Sequence, residues 1–174
     1  MRALWLSIAL IGLGSTARSE VLDSQPGGFE VRETAEIAAP AAKVWEALAG
    51  VGRWWDPVHT YSHDAANLTL DPAAGGCFCE RWAGGAVRHM QVLYASPPKA
   101  LRLDGALGPL QAMAVTGRMN IMITEASGRS TLALTYTVAG YAPGGLSDMA
   151  KPVDGVLAAQ VDRLKHLVET GRPE

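Results

Sequence analysis

The chain has only two cysteines, and they stand one residue apart in Cys77-Phe78-Cys79, followed directly by Glu80. On a strand the two sulfurs share one face, and Phe78 and Glu80 share the other. A disulfide within one molecule must join these two residues. Their Cα atoms would stand about 6.5–7 Å apart in an extended strand, at the edge of disulfide reach. Three readings stand open: a strained bridge in an oxidising compartment, two buried free thiols, or a soft-metal site completed by a nearby histidine. There is no Cys-x-x-Cys motif, so thioredoxin-like chemistry is not expected. If the face holding Phe78, Glu80 and Trp82 is concave, Glu80 is a desolvated carboxylate, suited to act as an acid or a polar anchor. If Cys77, Cys79 and Arg81 point inward instead, Glu80 is ordinary surface. Sequence does not fix that parity.

Histidines and aromatic residues supply the other candidates. His59 and His63 flank Tyr61 and precede Asp64. A His-x-x-x-His spacing suits a metal only on a helix, whereas Pro57 and the Thr-Tyr-Ser run read as a loop, so no metal site is assigned. His59 is the preferred cavity-facing acid, base or donor because it lies nearer the tryptophans. Trp54 and Trp55 are adjacent. Either one covers a cavity mouth while the other packs on the surface, or both are core contacts. Tyr136 shares parity with Leu132 and Leu134, so it is expected inside, with its hydroxyl in need of a partner. Met113, Met119 and Met149 suit either an adaptable apolar cavity or ordinary packing.

These residues must be positioned by a definite order of elements. A strand pattern at 29–38 leads into a short helix at 40–49, with Pro40 in its first turn and Val44, Trp45 and Leu48 at helical spacing. Strand patterns follow at 67–70, 77–82 and 87–95, then around Leu101 and Leu103. Glycine pairs at 75–76 and 84–85 suggest a hairpin around the cysteines. Met113, Val115, Met119, Ile121 and Ile123 share one face of a long strand, in which Gly117 marks a bend or bulge. Leu132, Leu134, Tyr136 and Val138 give the cleanest alternation in the chain. The last segment, 146–169, carries Val153, Val156, Leu157, Val161, Leu164, Leu167 and Val168 at three- and four-residue steps. Pro152 is expected to kink or restart this helix, and Gly155 to mark a close approach to the sheet or a ligand. A sheet followed by such a helix implies an α+β fold in which a curved antiparallel sheet wraps the helix, with a core or a cavity between them.

The ends and the charge limit the function classes. Residues 1–19 read as a cleaved secretory signal: Arg2, an apolar run from 3 to 14, and small residues at 17 and 19 before Glu20. The apolar run is short of the roughly 20 residues that a membrane span needs. Loss of Arg2 and Arg18 moves the net charge from −2 to −4, against 17 acidic residues. That argues against a charge-driven nucleic-acid or anionic-membrane partner. The chain divides into the signal, a linker at 20–28, one domain at 29–170 and a tail at 171–174. A soluble protein in the periplasm or outside the cell is expected, with no stable membrane insertion after cleavage. Its oligomeric state is not specified.

Local motifs carry a family resemblance. They are Ile37-Ala-Ala-Pro-Ala-Ala-Lys-Val-Trp-Glu-Ala-Leu48, Gly52-Arg-Trp-Trp-Asp-Pro57, the Gly75-Gly76 entry into Cys77, and Val92-Leu-Tyr-Ala-Ser-Pro-Pro98 before Leu101-Arg-Leu103. In this order they resemble the SRPBCC or START-like superfamily, which includes polyketide cyclase/dehydrase-like and Hsp90-ATPase-activator-like helix-grip proteins. The resemblance implies an apolar cavity between sheet and C-terminal helix. Members bind lipids, sterols or polyketides, and some are cyclases, aromatases or co-chaperones. The fold alone does not choose among these activities.

The favoured expectation is a binding protein for a hydrophobic small molecule or lipid, without a cofactor. Its ligand would meet Trp54, Trp55, His59, Phe78, Glu80, Met113, Met119, Tyr136, Met149 and Leu157. An enzyme of cyclase, aromatase or hydrolase type, using His59, Glu80 or Tyr136 as acid–base groups, is the alternative. A thiol- or metal-handling protein using Cys77 and Cys79 is a third reading. No nucleophile elbow, phosphate loop or dinucleotide fingerprint is present, so protease, kinase and nucleotide-binding functions are not expected.

Overall fold

The structure is a computed structural model that describes residues 17–174. Its eight strands are β1 (Arg18–Gln25), β2 (Gly28–Ile37), β3 (Leu68–Leu70), β4 (Cys77–Trp82), β5 (Gly85–Ser96), β6 (Ala100–Asp104), β7 (Ala114–Ala126) and β8 (Arg129–Tyr141). They form one antiparallel sheet in the order β1-β2-β8-β7-β6-β5-β4-β3. Two helices complete the fold, α1 (Ala41–Ala49) after β2 and α2 (Ala150–Thr170) at the end. This is the helix-grip α+β arrangement that the sequence implies.

Alternation decides which side of each strand is buried. Met119, Ile121 and Ile123 of β7 and Leu132, Leu134, Tyr136 and Val138 of β8 are all buried. They share one core with Leu157, Val161 and Leu164 of α2. Burying such side chains stabilises the fold by roughly 1.5–3 kcal/mol each. Helix α1 has no side-chain cap of its own. The carboxylate of Glu125 on β7 accepts from the Ala41 amide at 2.8 Å and serves instead.

Four expectations about these elements change. Residues 20–28 are not a linker. Most of them form β1, which pairs with β2 from Arg18↔Thr34 to Gln25↔Gly28 and covers its outer edge. Nearly every β1 side chain is exposed, so the strand has no apolar alternation to betray it. Most of the expected signal, residues 1–16, lies outside the described residues. Among the described residues, no helix is long and apolar enough to cross a membrane.

Of the kink or restart expected at Pro152, there is no kink, and the separate turn before the helix is present. A 3-10 turn at Ser147–Met149 precedes α2, and Pro152 is the third residue of α2, where its missing N–H costs no helical bond. Nor does Gly155 mark a close approach, because a Cβ there would meet nothing within 4 Å. Gly117 is not a bulge either. The β7–β8 register runs unbroken through Gly117↔Val138, and the glycine leaves room for the Tyr136 ring, which a Cβ would strike at 2.5 Å.

One buried acid stands apart. Glu33 shares the inward parity of β2 with Val31 and Ala35 and has no exposed surface. Among the described residues neither of its carboxyl oxygens has a donor, and the same holds for Oδ1 of Asp154 on α2. Two carboxylates cannot satisfy each other, but one proton between them can. Burial, then the charge of Asp154 and more weakly that of Asp162, pushes the Glu33 pKa up to about 8.

Two predictions follow from these positions. Gly155→Ala should stabilise by about 1 kcal/mol and raise the melting temperature by about 2–4 °C, because it removes only backbone freedom. An unchanged or lower melting temperature would contradict the open environment of Gly155. The raised Glu33 pKa means that the folded state holds an extra proton. That contribution is complete below the ordinary value of 4.5 and is lost as pH rises through about 8. Glu33→Gln should therefore gain stability over the parent progressively across this window and level off above it. Denaturant titrations at several pH values would test this, and a pH-independent difference would refute it.

Candidate functional site

The site begins at the β4–β5 hairpin. Glu80 pairs with Val87 and Cys79 with Arg88, but Phe78 pairs with Met90, so His89 is an extra residue on β5. This bulge makes His89 and Met90 both buried, although they are consecutive. Phe78 and Glu80 face inward, which fixes the parity that sequence left open, and Trp82 packs on Gly85 at the hairpin end. Cys77 and Cys79 are joined as a disulfide with Cα atoms 5.4 Å apart, at the point where the register shifts.

Glu80 is fully buried. Its Oε2 accepts from the Tyr61 amide at 3.1 Å and from His89 Nε2 at 3.1 Å, and its Oε1 accepts from the Ser62 amide. Burial alone would raise its pKa. The hydrogen bonds from Ser62, Tyr61 and His89 outweigh that and hold the carboxyl below its ordinary value. Burial pushes the His89 pKa down, against the opposing pull of Glu80. At neutral pH the pair is thus a carboxylate and a neutral imidazole. Nε2 carries the proton toward Glu80 and Nδ1 is bare. Among the described residues nothing bonds to Nδ1. The ring is flanked by Phe78 at 4.9 Å and Tyr61 at 6.0 Å between centroids.

Around this pair lies an open pocket of 470 Å³. Trp55, Val58, His59, Thr60 and Tyr61 form one wall, and Leu107, Gly108 and Pro109 a second. Met149, Pro152, Val153, Val156 and Leu157 form the third, with His89 between them. Each wall is anchored. Trp55 Nε1 donates to the His59 carbonyl at 3.0 Å, and Gln160 on α2 accepts from the Asp56 amide at 2.8 Å. Arg163 donates to the Trp54 carbonyl at 2.8 Å. The Tyr61 hydroxyl reaches across to the Gly108 carbonyl at 3.0 Å. Tyr136 donates to the Gly105 carbonyl and accepts from the Leu107 amide, both at 3.2 Å.

The sequence-derived candidates separate into groups. Trp55, His59, Met149 and Leu157 line the pocket. Trp54, Phe78 and Met119, with Trp55 and Leu157, line a deep cavity between sheet and helix of only 40 Å³. Between sheet and helix the structure thus has a core rather than a roomy cavity, nearly filled by leucines, isoleucine and tryptophan, and the usable space opens at its end. Neither tryptophan packs on the surface. The 3-10 turn at Val51–Arg53 ends the helical path and Trp54 leaves helical geometry (φ −132°, ψ −22°), so both rings are buried. Met113 is half-buried against the core and lines neither space. Tyr136 is a buttress outside the pocket. Burial, opposed by the hydrogen bond from the Leu107 amide and aided by the charge of Asp104, pushes its pKa up to about 12, which removes it as an acid–base group near neutrality. His59 is exposed and does not meet Glu80, and His89 takes that place. The His59–His63 segment is a short 3-10 turn and loop. Among the described residues no group of three or more His, Cys, Asp or Glu could hold a metal.

The fold and this end pocket define a helix-grip ligand-binding class. Residues 28–169 match the family described as "Polyketide cyclase / dehydrase and lipid transport", and the chain belongs to that family, within the SRPBCC superfamily. A search of curated proteins finds no match. Solved structures share the fold at low identity. A conserved Enterococcus faecalis protein of unknown function aligns with TM-score 0.60 and 13% identity over 88% of this chain and 78% of its own. CalU16 from Micromonospora echinospora gives 0.57 and 13% over 90% and 88%. The Aha1 dimer from Colwellia psychrerythraea gives 0.56 and 18% over 82% and 97%.

Replacing Glu80 by Ala should cost about 3 kcal/mol, since it removes the acceptor of two part-buried amides and strands a buried imidazole. Hydrogen exchange at Tyr61 and Ser62 should accelerate together. Both pKa values are lowered on folding, so the stability from this pair is present above the ordinary values and is lost as pH falls through the folded ones. Unchanged exchange at the two amides would contradict the role assigned to the carboxylate.

Proposed function

We propose that the protein binds a hydrophobic small molecule or lipid in the 470 Å³ pocket between the Trp55–Tyr61 turn, the Leu107–Pro109 turn and the start of α2, and that it works outside the cytoplasm after export. One observation carries the reading. The space is walled mainly by apolar side chains and holds two buried polar side chains, Thr60, whose hydroxyl is bonded to the Pro57 carbonyl, and His89, which is the usual composition of a small-molecule site. Family membership supports a hydrophobic ligand in coarse terms. The export reading rests on the sequence pattern of residues 1–19.

The protein purified from its own host should carry an apolar adduct in native mass spectrometry, released on denaturation. Val156→Trp, which fills the pocket from α2, should weaken binding of that molecule about tenfold or more while leaving the melting temperature near the parent value. Undiminished binding by this variant would place the ligand elsewhere.

A further inference from the structure

We propose that the pocket selects apolar ligands bearing one hydroxyl, a phenol or an enol, and that His89 Nδ1 accepts the hydrogen bond from it. The inference rests on the binding reading above and names the chemical class that the pocket takes. Its first ground is the fixed tautomer. Glu80 is held by the Tyr61 and Ser62 amides and takes the third hydrogen bond from His89 Nε2. Nδ1 is then an acceptor, and among the described residues it has no donor. Its second ground is the lack of competition. The Thr60 hydroxyl is committed to the Pro57 carbonyl and the Tyr61 hydroxyl to the Gly108 carbonyl. His59 stands exposed at the rim. Its third ground is shape. Trp55 and Tyr61 line the pocket, Trp55 edge-on to Phe78 and Tyr61 tilted against His89, whose ring is tilted against Phe78, so a flat ring entering beside His89 meets aromatic faces and edges.

His89 also borders a second, polar hollow of 360 Å³ that includes Arg88, Gln91, Asp104 and Gln111. Water held there is the rival partner for Nδ1, and the experiment must separate the two. The titratable and charged groups around the ring are Glu80 from β4, Tyr61 and His59 from the 57–63 segment, Arg88 from its own strand and Asp104 from β6. The α2 residues that line the pocket carry no charge.

The test compares a naphthol with its methyl ether, which keeps the apolar body and loses the donor. Binding to the parent protein is followed by tryptophan fluorescence. At neutral pH the naphthol should bind about tenfold more tightly, the scale of one net hydrogen bond to a buried acceptor. That preference should shrink as pH falls and His89 takes a proton, because Nδ1–H then donates to a hydroxyl or an ether oxygen alike. The preference should also disappear in His89→Phe. Equal binding of the two probes by the parent would leave the pocket reading standing and overturn the hydroxyl inference. Binding of neither would overturn both. A preference that survives in His89→Phe, or that ignores pH in the parent, would also overturn it.

Discussion

Glu80 is a charged group with no exposed surface, and the organisation of the site follows from satisfying it. An ionised carboxylate leaves water at a cost of several kcal/mol unless donors replace the lost hydration. Two of its donors are consecutive backbone amides, Tyr61 and Ser62, so the segment after α1 is held to the sheet by its main chain. The third is His89, which reaches the carboxylate only because β5 carries an extra residue at that point. Removing the bulge would return His89 to the outer face and leave Glu80 short of a donor. The charge, the bulge and the loop therefore depend on one another.

The other walls are tied to the same centre by shorter links. Gln160 and Arg163 of α2 hold the main chain around Trp54 and Asp56, which places Trp55 over Phe78 at 5.4 Å. On the opposite side the Tyr136 hydroxyl joins Gly105 to Leu107, and Gly117 gives its ring the space to do so. The pocket opens where three separately anchored segments meet. The middle of the grip, packed by side chains such as Leu101, Ile121, Leu132 and Leu164, retains space for only a few waters. Any ligand therefore sits at the mouth of the sheet, next to the buried pair.

The elements with strong alternation were legible in the chain. Leu132 to Val138, Met119 to Ile123 and the Gly84-Gly85 hairpin lie where their patterns put them, because one face of each strand is apolar. Strand β1 was not legible, because it is exposed and polar on both faces and gains its place from the edge of β2. His89 was missed for a different reason. Simple alternation from Met90 and Val92 sends it outward, and a bulge is a pairing property that one strand's sequence does not carry. The inward Glu80 face is one of the two options that the sequence leaves open, but the cavity-facing histidine it favours is His59, for its nearness to the tryptophans, and the structure puts His89 there. Glu33 could have been noticed, since Phe29, Val31, Glu33, Ala35 and Ile37 share one parity with a single acid among them. For the paired tryptophans the reading of both as core contacts holds, because the chain leaves helical geometry at Trp54 and both rings turn inward.

The most direct measurement is the protonation of the His89 ring, read by side-chain nitrogen NMR on the ligand-free protein at neutral pH. Nε2 lies 3.1 Å from Glu80 and burial lowers the pKa of the ring, so the account predicts a neutral ring with the proton on Nε2 and a bare Nδ1. A charged imidazolium, or a neutral ring protonated at Nδ1, would contradict the assignment on which the pocket's polar end depends.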